Sequence, residues 1–279
     1  MNLDYKLIAV GYCKHPEFIT IKGGKWCAKK YPALCVLIKH PQHGYILYDT
    51  GYSERFFDET KKWPFSLYKK FTPVTIEKED KIEYQLTKIG ISKDEISLII
   101  LSHFHADHIG SVKDFPNATI ICSKIAFDAI KNKKGFAALK NGYLKNLLPN
   151  NFATKARFIE DTTSIILDKK LYPFTSGYDL FGDKSLIAIE LPGHTIGQMG
   201  IFFRHQEKDI FLIADSCWSS EAYKKFKLPN FITYLIHNNR NNYQTTLKKL
   251  HLLYKNNPNI EIIPSHCDEI WQKIMEDNQ

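Results

Sequence analysis

No CxxC pair and no regular spacing links the six cysteines of this 279-residue chain, Cys13, Cys27, Cys35, Cys122, Cys217 and Cys267. Disulfide frameworks belong to small secreted domains, so free thiols and a reducing compartment are expected. The opening residues Met1-Asn2-Leu3-Asp4-Tyr5-Lys6 lack the basic and apolar regions of a secretory leader. No apolar run approaches the roughly 20 residues that cross a bilayer. A cytoplasmic protein without a membrane partner is therefore expected. Low-complexity linkers and internal repeats are missing as well, which predicts a single domain over 1–279. The lysines that give the net charge of +8 fall in scattered pairs (Lys29-Lys30, Lys133-Lys134, Lys224-Lys225) rather than in a dense patch. They read as a solvated surface, and with no appended nucleic-acid module no nucleic-acid partner is expected.

What the chain does contain is ordinary for a globular protein: 44% hydrophobic and 24% charged residues, on a length that buries a substantial core. Strands are expected at Leu3–Val10, Leu34–Ile38 and Tyr45–Asp49, the last two joined through Pro41-Gln42-His43-Gly44. Lys78–Ile89 has the apolar spacing of an amphipathic helix, stopped by Gly90. Ile96–Leu101 and Ala118–Cys122 read as buried strands, with Ser123 as the N-cap of a following helix. In the second half, strands are expected at Arg157–Ile159, Ser164–Leu167, Ser185–Leu191, Met199–Phe203, Ile210–Ala214 and Ile260–Ile263. Helices are expected at Asn241–Tyr254 and Asp268–Met275. Helical insertions near 52–72, rich in aromatics, and near 125–155, rich in lysine and asparagine, complete the pattern. Residues 131–155 of the second are expected to be exposed. Strand-rich halves interrupted by helices fit two packed sheets with helices outside.

One stretch concentrates metal-binding side chains: Ser102-His103-Phe104-His105-Ala106-Asp107-His108-Ile109-Gly110, directly after the Ile96–Leu101 strand. In an extended segment His103 and His105 point the same way, while Asp107 and His108 turn back with the next element. Imidazole and carboxylate together suit zinc, and less selectively iron, manganese or cobalt. A catalytic zinc needs several protein ligands, and three further polar residues leave apolar strands in the same fashion. His194 follows Ser185–Leu191, Asp215 ends Ile210–Ala214, and His266 follows Ile260–Ile263. The remaining histidines (His15, His40, His43, His205, His237, His251) have no motif around them and are expected to be surface or packing residues. Cys217 and Cys267, next to these polar residues, are expected to be small buried fillers.

Taken together, His103-x-His105-x-Asp107-His108, Gly193-His194, Asp215 and His266, with Asp49-Thr50-Gly51 at an earlier strand end, resemble the metallo-β-lactamase-fold hydrolases. The resemblance runs from about Leu34 to His266. It implies an α+β fold, a four-layer αββα sandwich, with two metal ions, zinc by default. By position His103, His105 and His194 would hold one ion and Asp107, His108 and His266 the other, with Asp215 bridging. The aspartate at 215 and the spacing of the later motifs look most like the N-acyl homoserine lactone lactonase branch. That branch implies hydrolysis of a lactone or carboxylic ester by a metal-bridged hydroxide, with Asp107 also moving the proton.

Two residues depart from the branch. Trp218 stands where those lactonases carry a tyrosine, and indole donates one hydrogen bond but is no acid. Gln198 replaces the last histidine of the Gly-His-Ser/Thr-x-Gly-His element. Trp218 and Phe104 are the candidate substrate-contacting residues, each with core packing as the alternative, on a small-molecule ester, lactone or thioester. Three other readings share the scaffold: a glyoxalase II-like thioesterase, a phosphodiesterase or nuclease, and a non-enzymatic metal-binding scaffold. No feature of the sequence sets the oligomeric state.

Overall fold

Apolar runs such as Ile96-Ser97-Leu98-Ile99-Ile100-Leu101 have aliphatic side chains on both faces, so they can be buried only in a sheet that is covered on both sides. That is the arrangement found in the computed structural model, which describes residues 1–235 and 237–277. Strands β1 (Asp4–Pro16), β2 (Ala28–His40), β3 (Gly44–Tyr48), β4 (Val74–Thr75), β5 (Ile96–Ile100), β6 (Thr119–Cys122) and β7 (Ala156–Phe158) form one sheet. Its order is β4-β1-β2-β3-β5-β6-β7. Strands β8 (Thr163–Ile166), β9 (Ser176–Asp179), β10 (Ile187–Glu190), β11 (Met199–His205), β12 (Lys208–Leu212) and β13 (Ile260–Ile263) form the second, ordered β13-β12-β11-β10-β9-β8.

The inner faces meet in one core. Val36, Ile38, Ile46, Tyr48, Leu98 and Ile100 of the first sheet pack there with Ala188, Ile201, Phe203, Ile210, Leu212 and Ile263 of the second. Alternate residues point outward. Cys35, Leu37, Leu47 and Ile99 pack under the helices of the first half, and Ile189, Phe211 and Ile262 under helix Arg240–Asn256 through Leu247, Leu250 and Leu253. Helix, sheet, sheet, helix is the four-layer order expected from the sequence. None of the helices is long and apolar enough to cross a membrane, among the described residues, and all six cysteines are free.

The structure corrects several local expectations. The insertion near 125–155 is not an exposed appendage: Ala138, Tyr143, Leu144, Leu147, Leu148 and Phe152 are buried in the outer core of the first sheet. Its lysines and asparagines cover the outside of short helices Lys124–Ile130, Gly135–Lys140 and Phe152–Lys155, and their frequency masked the apolar side. The helix expected over Lys78–Ile89 is a 3-10 turn, Lys78–Asp80, followed by helix Ile82–Lys88. Strand β9 was not expected because Ser-Gly-Tyr-Asp has no aliphatic pattern; its pairing with β8 and β10 supplies what its side chains do not. Strands β1 and β2 are also longer than expected. A bulge between Ala9 and Tyr12, with Gly11 at φ +76, lets the pair continue to Pro16 and Ala28.

Candidate metal centre

Five turns at the exits of β3, β5, β10, β12 and β13 converge at one edge of the sandwich, where open α/β sheets place their sites. At the exit of β3, Asp49 adopts φ +60 and its carboxylate holds the next turn in place. One oxygen accepts the Ser102 N–H (2.8 Å); the other accepts the Ser102 hydroxyl (2.7 Å) and the His108 Nδ1–H (2.7 Å). The two turns also clasp through their backbones. Thr50 N–H donates to His108 O (2.8 Å) and Gly110 N–H to Gly51 O (3.0 Å). A Cβ at Gly110 would lie 2.4 Å from Gly51 O, and one at Gly51 2.2 Å from Val10 Cβ. Only glycine permits that approach.

The second sheet supplies the rest. Gly193, at φ +134, sits against Tyr243 so closely that a Cβ would be 2.3 Å from Tyr243 Cα. Asn238 and Asn239 N–H donate to His194 O (2.9 Å) and Gly193 O (3.0 Å), pinning the turn that carries His194. Asp215 follows Ala214, which adopts φ +46. His266 donates from Nδ1 to Pro32 O (2.6 Å), so the lengthened β2 orients it.

All seven residues expected from the sequence come together in two groups. His103, His105, His194 and Asp215 offer donor atoms within 4.8 Å of one another, and so do Asp107, His108, Asp215 and His266. Asp215 belongs to both. Its Oδ2 lies 3.3 Å from His194 Nε2 and 3.1 Å from His266 Nε2, and its Oδ1 3.2 Å from His108 Nε2. His194 Nε2 is 3.1 Å from His105 Nδ1, and His266 Nε2 is 3.2 Å from Asp107 Oδ2.

The donor set fits a pair of metal ions. Buried polar atoms normally find hydrogen-bond partners, yet His103 Nε2, His108 Nε2 and Asp215 Oδ1, all buried, have none of hydrogen-bonding geometry among the described residues, although the last two lie 3.2 Å apart. Three unpartnered donors converging on shared space are what a cation would satisfy. Protonation states agree at His103, His194 and Asp215, whereas His108 and His266 are drawn toward the cationic form, whose proton a metal would have to displace. Burial, reinforced by His108 and His105, holds His103 far below the ordinary imidazole range. Burial does the same to His194 against the pull of Asp215. For His108 burial also pushes down, but Asp49, Asp107 and Asp215 outweigh it and the value rises. Burial would raise Asp215; the surrounding His266, His108 and His194 bring it far below the carboxylate range instead. Ionised carboxylates and neutral imidazoles are the ligating forms.

The two candidate substrate residues part company. Trp218 is half-buried at the rim, its ring 4.5 Å from that of His266, 5.2 Å from Tyr31 and 5.9 Å from His15. Phe104 lies in the core, 3% exposed, against Phe127 and Phe152. Between two outward-facing histidines its side chain points the other way, so it supports the loop from beneath rather than lining a pocket. Gln198 is fully buried, and its amide donates to Leu191 O (3.2 Å) and Ser216 Oγ (3.1 Å), tying the His194 turn to the Asp215 turn. Cys217 and Cys267 are buried, as expected.

Two of the six motif-less histidines, His15 and His237, pack beside the candidate centre. His15, carried by the extension of β1, reaches Trp218, and burial together with nearby His266 holds it down at about 4. His237, buried, lies with its ring 5.1 Å from that of His194, and burial brings it to about 4. Neither has a local pattern that could have marked it, since both reach the site through the fold. His40, His43, His205 and His251 do serve packing or the periphery: His40 bonds Ser185 Oγ (2.9 Å), His43 stacks on Phe181, and His205 and His251 donate to Leu3 O (2.8 Å) and Tyr223 O (2.7 Å).

The family model for the metallo-beta-lactamase superfamily matches residues 28–250. The chain belongs to that superfamily. It is 22% identical over 254 residues to the N-acyl homoserine lactonase AttM of Rhizobium radiobacter, covering 91% of this chain and 88% of the relative. Among solved structures it superposes on an N-acyl homoserine lactone hydrolase with the product N-hexanoyl-L-homoserine bound at its catalytic metal centre. The TM-score is 0.73 at 19% identity, covering 98% of this chain and 97% of the other. AidC, a dizinc quorum-quenching lactonase, matches with a TM-score of 0.65 at 19% identity, over 95% of this chain and 88% of the other.

Proposed function

We propose that this member of the superfamily is a dizinc hydrolase that opens lactones or related carboxylic esters, with N-acyl homoserine lactones as the first class to test. The observation that carries the reading is the pair of buried donor groups joined through Asp215. His103, His105 and His194 would hold one ion, Asp107, His108 and His266 the other, and Asp215 both. When bound, such a pair polarises a carbonyl and lowers the pKa of water enough to give hydroxide near neutral pH.

The protein's own groups do the rest. Asp107 is 8% exposed, against 1% for Asp215, so of the two carboxylates it is the one that can meet the leaving group and carry a proton to it. Trp218 walls the His266 side of the opening. Its indole can orient an acyl group by contact and one hydrogen bond, but it supplies no proton.

Zinc-loaded protein offered an N-acyl homoserine lactone, an acyl thioester and a bis-aryl phosphate in parallel tests the reading. Lactone turnover well above the other two is expected. Preferred turnover of the thioester or the phosphodiester would replace the lactone assignment, and two bound metals with no turnover of any would leave a binding scaffold.

A further inference from the structure

An imidazole that meets a metal through one nitrogen needs an acceptor for the N–H on the other, and that outer partner fixes ring orientation. Three of the five imidazoles at the centre have one. His108 donates to Asp49 (2.7 Å) and His266 to Pro32 O (2.6 Å). His103 Nδ1 donates to Ser102 Oγ (3.0 Å), whose own proton goes to Asp49. His105 turns its Nε2 side toward Gly142 and keeps part of its surface open, where water can serve. His194 is the exception: its outer nitrogen, Nδ1, is buried and without a hydrogen-bond partner among the described residues.

The neighbouring ring is His237, at 5.1 Å and 76°. It is 8% exposed, and its own Nδ1 is likewise buried and unpartnered among the described residues. Two polar nitrogens thus lie on adjacent rings in one buried place, each lacking what the other offers. The ring does not sit there by accident of a loose loop. It lies at 4.4 Å and 30° on Tyr243, and the next two residues donate to His194 O and Gly193 O (2.9 and 3.0 Å). The same segment therefore holds the backbone of His194 and presents a side chain to it.

We propose that His237 is the outer partner of His194, accepting from its Nδ1–H directly or through one buried water and so aiming Nε2 at the ion shared with His103 and His105. The assignment rests on the dinuclear reading above. His237 is a positioning residue: it touches neither ion nor substrate. If it acted only as a packing ring, phenylalanine would replace it without loss.

That contrast is the test. Full-length protein, stripped of metal, is titrated with zinc against a chromophoric chelator for the wild type, His237→Phe and His237→Gln. Phenylalanine keeps the ring on Tyr243 and removes the acceptor, whereas glutamine keeps an acceptor. The expected result is that His237→Phe weakens one of the two zinc sites about 10–100-fold, while His237→Gln stays closer to wild type. The zinc-induced rise in melting temperature should shrink for His237→Phe with the metal-free melting temperature unchanged. Wild-type affinity in His237→Phe, or equal weakening in both variants, overturns the proposal. Should His237→Phe fail to fold, His237→Asn and His237→Leu, close in volume and differing in the acceptor, give the same comparison. No substrate enters the experiment, so an error in the lactone assignment leaves it intact. A wild type that binds no zinc would instead sink the metal centre itself.

Discussion

The Asp49 carboxylate receives the His108 Nδ1–H at 2.7 Å, and the opposite nitrogen of that ring lies 3.2 Å from Asp215. A side chain leaving β3 thus sets the direction in which a β5-derived imidazole presents its free nitrogen. The same carboxylate braces the Ser102 backbone and hydroxyl, so one residue orients the motif at both ends. Asp49→Asn keeps the shape and loses the charge. It should weaken zinc binding about 10–100-fold while the metal-free chain stays folded. Chelator competition checks this, and wild-type affinity in the variant would remove Asp49 from the centre.

Among the described residues, Asp215 is the only one shared by both donor groups. Asp215→Ala should abolish hydrolysis and bring metal content from about two ions per chain to one or fewer. Elemental analysis after gel filtration reads the second effect independently of any substrate. Full activity in the variant would mean that the bridging role is wrong.

The half-buried position of His15 has a pH signature. Its folded value is about 4, against about 6.5 for a free imidazole. Between those limits the unfolded chain binds the extra proton, so the residue's contribution to stability rises with pH there and is lost as pH falls from 6.5 to 4. The span of about 2.5 units corresponds to about 3 kcal/mol. The site contains other histidines shifted in both directions, so the measurement is a difference. Urea unfolding of metal-free wild type and His15→Phe should show the wild type losing ground relative to the variant as pH drops from 7 to 4. A pH-independent difference would show that His15 titrates normally in the folded protein.

Trp218, half-buried beside His266, is the proposed substrate contact and is not among the candidate ligands. Trp218→Ala should raise KM about 5–30-fold, the loss of one well-packed aromatic face being worth about 1–2 kcal/mol. The complement of about two metal ions should be unchanged. An unchanged KM would reassign the indole to packing against His266 and Tyr31; loss of metal would make it a support of His266.

The candidate ligands were legible because each carries a local mark. A polar residue capable of ligating stands directly after an apolar run, and the runs themselves are aliphatic on both faces because both faces are covered. Asp49-Thr50-Gly51 was legible as a strand-end element for the same reason, though its partners were not. The insertion near 125–155 was misread because lysine and asparagine dominate its composition, while Tyr143, Leu147 and Phe152, which bury it, are few and irregularly spaced. Phe104 was ambiguous in sequence, since alternation places it opposite His103 and His105 but does not say which side is the pocket.

The chain's own order of residues determined the layers and the metal chemistry, since burial on two faces and ligating side chains at strand exits are properties of short segments. Tertiary structure alone decided what surrounds that chemistry. His15 reaches Trp218 beside the centre because a bulge at Gly11 lets β1 continue, still paired with β2, to Pro16. His237 reaches the centre because Gly193 lets the His194 turn press against Tyr243 and the segment before it. Both depend on contacts between residues tens to hundreds of positions apart. Local propensity carries no information about such contacts, because they exist only once the sheets have paired and the helices have packed against them.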